Sequence, residues 1–352
     1  MRTITLKVLA VGLLISIQAA HAQMQIHVID VGQADSILLE FKKAAVLIDA
    51  GGESTGDERD KDHLLSQLDH FFARRTDLNK TLHAVIISHA HIDHTKLLMD
   101  VMQKFKVKYL YDGGDTVGSG VAQLKKARTF AKNHAINYLA IEDDTIGNAG
   151  FAPPGLKQLS TSSSVDMRFL TGSRSCDNQN NNSLVVRVHY KNTTALLTGD
   201  SQTDGDGGCD EGQVDHLLER YHDTDLLKAD IYKVGHHGSF NATDKEFVEA
   251  MSPKFAVISA GHKETKGPGQ FHGFYFGHPR EDVVAFLEET TSTRSPAITG
   301  YTYSKGTRDK NDTSTIDEGR QIRKAIYCTC WDQDVTVAVN TAGDEVTVST
   351  GP

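Results

Sequence analysis

The segment Ser88–Thr95 reads Ser-His-Ala-His-Ile-Asp-His-Thr and places four metal-binding groups, His89, His91, Asp93 and His94, within six positions. It follows the apolar run Ala84–Ile87, which reads as a buried strand. It precedes Leu97, Leu98, Val101, Met102 and Phe105, which are spaced as one face of a helix. On extended backbone His89 and His91 project to the same side, while Asp93 and His94 lie where the chain turns into the helix. One pair suits one divalent cation and the other pair a second. Neutral imidazole and carboxylate without thiolate fit Zn²⁺ best and admit Mn²⁺ or Fe.

Three further places complete such a centre. Leu196-Leu-Thr-Gly-Asp200 ends an apolar strand in a carboxylate, a position from which one side chain can bridge two cations ~3.5–4 Å apart. Gly235-His-His-Gly-Ser239 lies between a strand-like Ala229–Val234 and a helix-like Thr243–Met251, so strand, ligand-rich turn and helix occur a second time. One of His236 and His237 is expected to bind the second cation and the other to pack or donate a hydrogen bond. His278, in Gly-His-Pro, is a ligand or a donor facing the substrate.

The elements that must position these residues are legible in outline. Gln25–Val31, Ser36–Phe41 and Ala45–Asp49 read as successive strands, the first two joined by Gly32-Gln33-Ala34-Asp35. Leu64, Leu65, Leu68, Phe71 and Phe72 have helical spacing, Leu184–His189 and Thr194–Thr198 form a hairpin, and Phe255–Ala260 is a further strand. Mixed strands and helices, with histidine-bearing turns in both halves, predict an α/β (α+β) fold with helices outside two facing sheets. From Tyr301 the pattern is all β, with strands over Ala325–Cys330, Asp334–Val339 and Glu345–Ser349, and predicts a small C-terminal β appendage. The expected division is a leader over 1–22, a catalytic domain over 23–300 and the appendage over 301–352.

Arg2 and Lys7 followed by the short apolar run Val8–Ala20 and by Ala20-His21-Ala22 have the form of a cleaved export signal. No later segment is long and apolar enough to span a membrane, so the mature protein is expected to be periplasmic or secreted. Its composition, 39% hydrophobic and 24% charged, is that of an ordinary globular protein. Loss of Arg2 and Lys7 moves the formal charge from −9 to −11. That balance gives no support for a broad nucleic-acid surface, although metal ions would reverse the field locally. Export permits disulfides, and Cys176 with Cys209 is the expected pair, since Cys328 and Cys330 would join only under strain.

His89-x-His91-x-Asp93-His94 resembles the signature of the metallo-β-lactamase superfamily. In order along the chain, HVIDVGQADSILLE, AVLIDAGG, NNSLVVRV, ALLTGD, KVGHHGS, FAVISAG and GHP are similar to the hydrolase domain of ComEC-type competence proteins, over about Gln25 to Leu287. The resemblance implies an αββα sandwich and two divalent metal ions. It carries His89 and His91 to the first metal, Asp93 and His94 to the second, Asp200 to the bridge and His236 to the second metal. One departure stands out: where many relatives place a third histidine for the first metal, Gln179-Asn-Asn-Asn-Ser183 has none. The loop of 17 residues from Gly261 to Gly277, with His262, His272, Phe271, Phe274, Tyr275 and Phe276, is a candidate lid.

A water shared by two such cations would lose a proton near neutral pH and attack an electrophile. Asp93, His237 and His278 are the expected catalytic side chains, with His237 or His278 donating to the leaving oxygen. The expected substrate is a small molecule or phosphoester, making the protein a phosphodiesterase or nuclease-like hydrolase. A hydrolase of acyl, lactam or lactone bonds and a non-catalytic metal-binding module are the competing readings.

Overall fold

The computed structural model describes residues 23–53, 59–206, 208–263, 273–304 and 316–351. The leader expected over 1–22 and residues 264–272 of the expected lid lie outside the described residues. Among those described, no helix is long and apolar enough to cross a membrane.

Two sheets face each other. The first contains β1 (Met24–Val28), β2 (Ile37–Phe41), β3 (Ala44–Ile48), β4 (Thr81–Ile86), β5 (Lys106–Asp112) and β6 (Asn137–Ala140), extended on the β1 side by β15 (Val335–Val339) and β16 (Val346–Thr350). The second contains β7 (Val165–Thr171), β8 (Val185–Tyr190), β9 (Thr193–Leu197), β10 (Ile231–Lys233), β11 (Phe255–Ile258) and β14 (Ile326–Cys328). β12 (Thr293–Tyr303) and β13 (Ile316–Lys324) pair as a separate ribbon.

Strand composition accounts for this layering. Every residue of β2, β3 and β9 is buried, as strands covered on both faces must be. Ile26, Leu39, Val46 and Ile86 meet Phe169, Val186, Val188 and Leu197 in one apolar cluster between the sheets. Each such side chain contributes ~1.5–3 kcal/mol through burial. Outside the first sheet, Leu64, Leu68, Phe71 and Phe72 of the helix Arg59–Arg74 pack with Val101 and Met102 of Leu98–Lys104 and Leu124 of Val121–Asn133. Outside the second, the helices Gln213–Tyr221, Lys245–Met251 and Glu281–Thr290 bury Leu217, Phe247 and Val284. The predicted αββα sandwich is the observed fold.

The β-rich character expected after Tyr301 is present, but not all of that segment is peripheral. β15 is antiparallel to β1 and β14 parallel to β11, and Val335, Val337 and Val339 belong to the cluster between the sheets. Alternation of buried Val with half-buried Thr and Ala in β15 is what lets it extend a sheet with one face covered. Among the described strands, the β12–β13 ribbon alone stands outside both sheets.

Cys176 and Cys209 form the expected disulfide. Cys328 and Cys330 are also joined: Cys328 ends β14 and Cys330 enters a one-turn helix, which brings their Cα atoms to 5.1 Å.

Candidate metal centre

The candidate residues converge because they follow parallel neighbours at one end of each sheet. β3 and β4 are parallel, and Asp49 and the 89–94 segment leave their carboxyl ends. β9, β10 and β11 are likewise parallel, and Asp200, His236–His237 and Ser259 leave theirs. Carboxyl ends of strands are the usual place for ligands in sheets of this kind.

Backbone contacts lock the loops to one another. Asp35 N donates to Asp93 O, Ala50 N to His94 O and Leu97 N to Ala50 O, so three distant segments are bonded around Gly51. A Cβ on Gly51 would lie 1.7 Å from Asp93 O, so only glycine permits this approach. Asp49, His236 and His237 adopt left-handed backbone at φ 59°, 45° and 55°. Such conformations cost ~1–2 kcal/mol each and aim side chains where regular structure would not.

Four ligand atoms, one each from Asp93, His94, Asp200 and His237, lie within 4.8 Å of one another, all on buried residues. His94 Nε2 is 3.2 Å and His237 Nε2 3.5 Å from Asp200 Oδ2, and His237 Nε2 is 3.3 Å from Asp93 Oδ2. Donors ~2.0–2.1 Å from a tetrahedral ion stand about 3.4 Å apart, so these separations suit a cation. Asp93 Oδ1, Asp200 Oδ1, His94 Nε2 and His237 Nε2 are buried without a hydrogen-bond partner, a costly arrangement unless a ligand takes them up. The first pair adjoins this group. His89 Nε2 stands 3.0 Å from His91 Nδ1 and 3.8 Å from Asp200 Oδ2, which leaves one carboxylate between two sets of imidazoles.

The far side of each ring is held. Asp49 Oδ2 accepts from His94 Nδ1 at 2.8 Å and from Ser88 Oγ at 2.7 Å, while Asp49 Oδ1 accepts from Ser88 N at 2.7 Å. His237 Nδ1 donates to the Ser259 carbonyl at 2.8 Å. A carbonyl only accepts, so Nδ1 carries a proton and Nε2 faces Asp93 and Asp200, where a bound cation would take the place of a second proton. The field favours positive charge there. Burial opposes charge on His94, yet Asp200, Asp49 and Asp93 hold its imidazole well above the ordinary range. Burial likewise opposes charge on His237, but Asp200 foremost raises it to about 10. Burial and the neighbouring His94 push His89 well down.

The buried group thus includes His237, where His236 was expected. His236 Nε2 is 3.9 Å from Asp200 Oδ2, and its ring is partly exposed between Asn180, Gln202 and Asn241. The cause is the left-handed pair, which turns adjacent rings apart and gives His237 the Ser259 carbonyl. In place of a third histidine, Asn181 and Asn182 are consumed in holding the Cys176 and Gln213 segments, and Asn180 Oδ1 is left buried without a partner. His278 is buried, with its ring 5.5 Å from that of His236 and 6.3 Å from that of His237. Asp35, Asp49, Lys233 and Gln33 are absent from the sequence-based set. Lys233 is buried and donates to Asp35 Oδ2 at 2.9 Å, while Asp35 Oδ1 lies 3.6 Å from His237 Nδ1. Asp49 carried a readable signal, since Ala45–Asp49 ends an apolar strand in a carboxylate just as Leu196–Asp200 does.

Residues 29–262 match the model of the metallo-beta-lactamase superfamily. The chain belongs to this superfamily. ComE operon protein 3 of Bacillus subtilis is 28% identical over 274 residues, 75% of this chain and 30% of that protein. Competence protein ComA of Neisseria gonorrhoeae is 33% identical over 120 residues, 34% of this chain and 14% of that protein. The ComEC-type resemblance is thereby matched, and the chain spans less than a third of either relative. Among solved structures, the metallo-β-lactamase fold protein YhfI of Bacillus subtilis aligns with a TM-score of 0.41 at 14% identity, over 66% of this chain and 84% of that one. This metallo-β-lactamase chain thus has the hydrolase-like fold of its superfamily and a cluster of residues suited to divalent metal.

Proposed function

We propose that the protein is an exported metal-dependent hydrolase of small phosphoesters, a phosphodiesterase in the first instance. The observation that carries this reading is the buried group Asp93, His94, Asp200 and His237, which offers one ligand atom from each residue within 4.8 Å of the others and leaves a polar atom of each without a hydrogen-bond partner. Asp93, His94, His237 and Asp200 would hold one cation, and His89 and His91 with Asp200 a second, with Zn²⁺ favoured and Mn²⁺ or Fe admitted by the donor set. When bound, the two cations supply an activated water and stabilise an anionic transition state. Asp49 and the Ser259 carbonyl orient the rings of His94 and His237. With His237 so engaged, His278 is left to donate to the leaving oxygen.

A cleft of about 730 Å³ beside the Gln179–Asn182 turn is lined by none of the candidate ligands. Its wall carries Asp115, Glu142, Asp143, Asp144 and Asp177 against Arg174 and Arg220, of which Arg220 is paired with Asp143. A wall of that sign offers no cradle for a nucleic-acid polyanion. Export is supported by the leader-like N-terminus and by two disulfides.

The test is hydrolysis of phosphodiester, phosphomonoester, DNA and lactam substrates by metal-analysed protein. Phosphodiester turnover should vanish on chelation, return with Zn²⁺ or Mn²⁺, and be lost in Asp93→Ala. Full activity in excess chelator would refute the metal mechanism, and preferential lactam turnover would favour the acyl reading.

A further inference from the structure

Gln33 lies in the turn between β1 and β2 and is 1% exposed, yet every polar atom of its side chain is used. Its Oε1 accepts from Gly261 N at 3.0 Å, and its Nε2 stands 3.0 Å from His278 Nδ1. Its own backbone N–H donates to Glu53 Oε1 at 2.9 Å. The contact with Gly261 fixes which way the amide faces. A backbone N–H can only donate, so the amide oxygen must be on that side, and the NH₂ group must be toward His278. An NH₂ group also can only donate, so His278 Nδ1 must accept. A neutral imidazole carries one proton, which then sits on Nε2, on the far side of the ring from Gln33.

The surroundings leave this amide little freedom. A Cβ on Gly261 would come within 2.6 Å of Glu53 Oε1 and 3.0 Å of Gln33 N, so the backbones of the two loops are in close contact. The His278 ring itself is stacked on Phe276 at 5.8 Å and faces His237 at 6.3 Å. His237 and His278 consequently present opposite chemistry from neighbouring rings. The Ser259 carbonyl accepts from Nδ1–H of His237, whose Nε2 is left for a cation; Gln33 donates to Nδ1 of His278 and leaves its Nε2–H.

We propose that Gln33 is a positioning residue that holds His278 in the Nε2–H form, so that this histidine meets an anionic oxygen of the substrate as a neutral hydrogen-bond donor and not as a base. The assignment of the tautomer rests on geometry alone, and its catalytic use rests on the phosphoester reading above.

The two parts separate experimentally. In protein carrying ¹⁵N-histidine and loaded with Zn²⁺, long-range ¹H–¹⁵N spectra report which nitrogen of each ring is protonated, and His278→Ala identifies the signals of His278. Protonated Nε2 with unprotonated Nδ1 is expected; a protonated Nδ1 in the wild-type protein overturns the proposal whatever the substrate. In Gln33→Glu, the new carboxylate faces His278 Nδ1 and should draw the proton to it, with zinc content unchanged. There kcat on bis(p-nitrophenyl) phosphate should fall ~10–100-fold while KM changes less than ~3-fold, the size seen when a ring-orienting partner is altered. Gln33→Glu combined with His278→Ala should lose no more than His278→Ala alone. Equal losses in both backgrounds would make Gln33 a packing residue and overturn its role. If Gln33→Glu does not fold, the wild-type spectrum still decides the tautomer, and absence of phosphodiester turnover with the expected spectrum counts against the substrate class alone.

Discussion

Replacing Asp49 with asparagine would test whether the buried group is a metal centre while leaving all of its candidate ligands in place. Asp49 Oδ1 accepts from Ser88 N, and an amide oxygen can keep that bond. Oδ2 accepts from both Ser88 Oγ and His94 Nδ1, and there the amide nitrogen of Asp49→Asn can only donate. His94 must then leave a buried N–H facing a donor, move its proton to Nε2, or turn to the longer contact with Ser88 Oγ at 3.2 Å. The first costs ~1–3 kcal/mol, and the second removes the lone pair that faces Asp200. Loss of a carboxylate that orients a ligating histidine lowers metal affinity ~10–100-fold, or about 1.4–2.7 kcal/mol. Competition against a chromophoric chelator measures that shift directly, and circular dichroism checks the fold. Affinity within ~3-fold of wild type, with the fold intact, would mean that His94 binds no metal through Nε2, and the proposed second site would fall.

His237→Ala should reduce bound metal from two ions toward one, whereas His236→Ala should retain two; the reverse pattern in metal analysis would restore His236 as the ligand. Burial, with help from Asp60 and Asp30, raises Glu53 from 4.5 to about 7, so the folded protein holds a proton that the unfolded chain releases over that interval. Stability should therefore fall by up to about 3 kcal/mol as pH rises from about 4.5 to 7 and change no further through this group above that. In Glu53→Gln that component should be missing from urea melts at pH 5 and pH 8, and an identical pH dependence would count against it. Cys176→Ser with Cys209→Ser opens a loop of 33 residues' separation and should lower stability by about 3–4 kcal/mol in denaturant melts, against no change if the bond is dispensable.

The parts of the molecule that were legible in the sequence are those whose signal is local. The 89–94 cluster, Asp200 and the Gly-flanked histidines each follow an apolar strand run, and the parallel strands bring those turns together as expected. The choice between His236 and His237 was not legible, because adjacent residues share every local cue. Which ring joins the buried group is set by two left-handed backbone angles and by a carbonyl 22 residues away. The roles of Asp35, Lys233 and Gln33 likewise arise from contacts between residues 198 to 245 positions apart. Between Lys106 and Thr171 the pattern assigns no element, although β5, the helix Val121–Asn133, β6 and β7 lie there. β6 is exposed over Asn137–Leu139 at a sheet edge, and β5 mixes exposed lysines with buried residues, so neither gives a clean apolar run.

The pairing of β15 with β1 has a bearing on how the protein can be dissected. A shortened chain ending at residue 300 would retain every candidate ligand, yet it would strip the outer partner from β1 and leave its amides and carbonyls open to other molecules. Loss of activity in such a fragment would accompany self-association through that bare strand, and would say nothing about where catalysis resides.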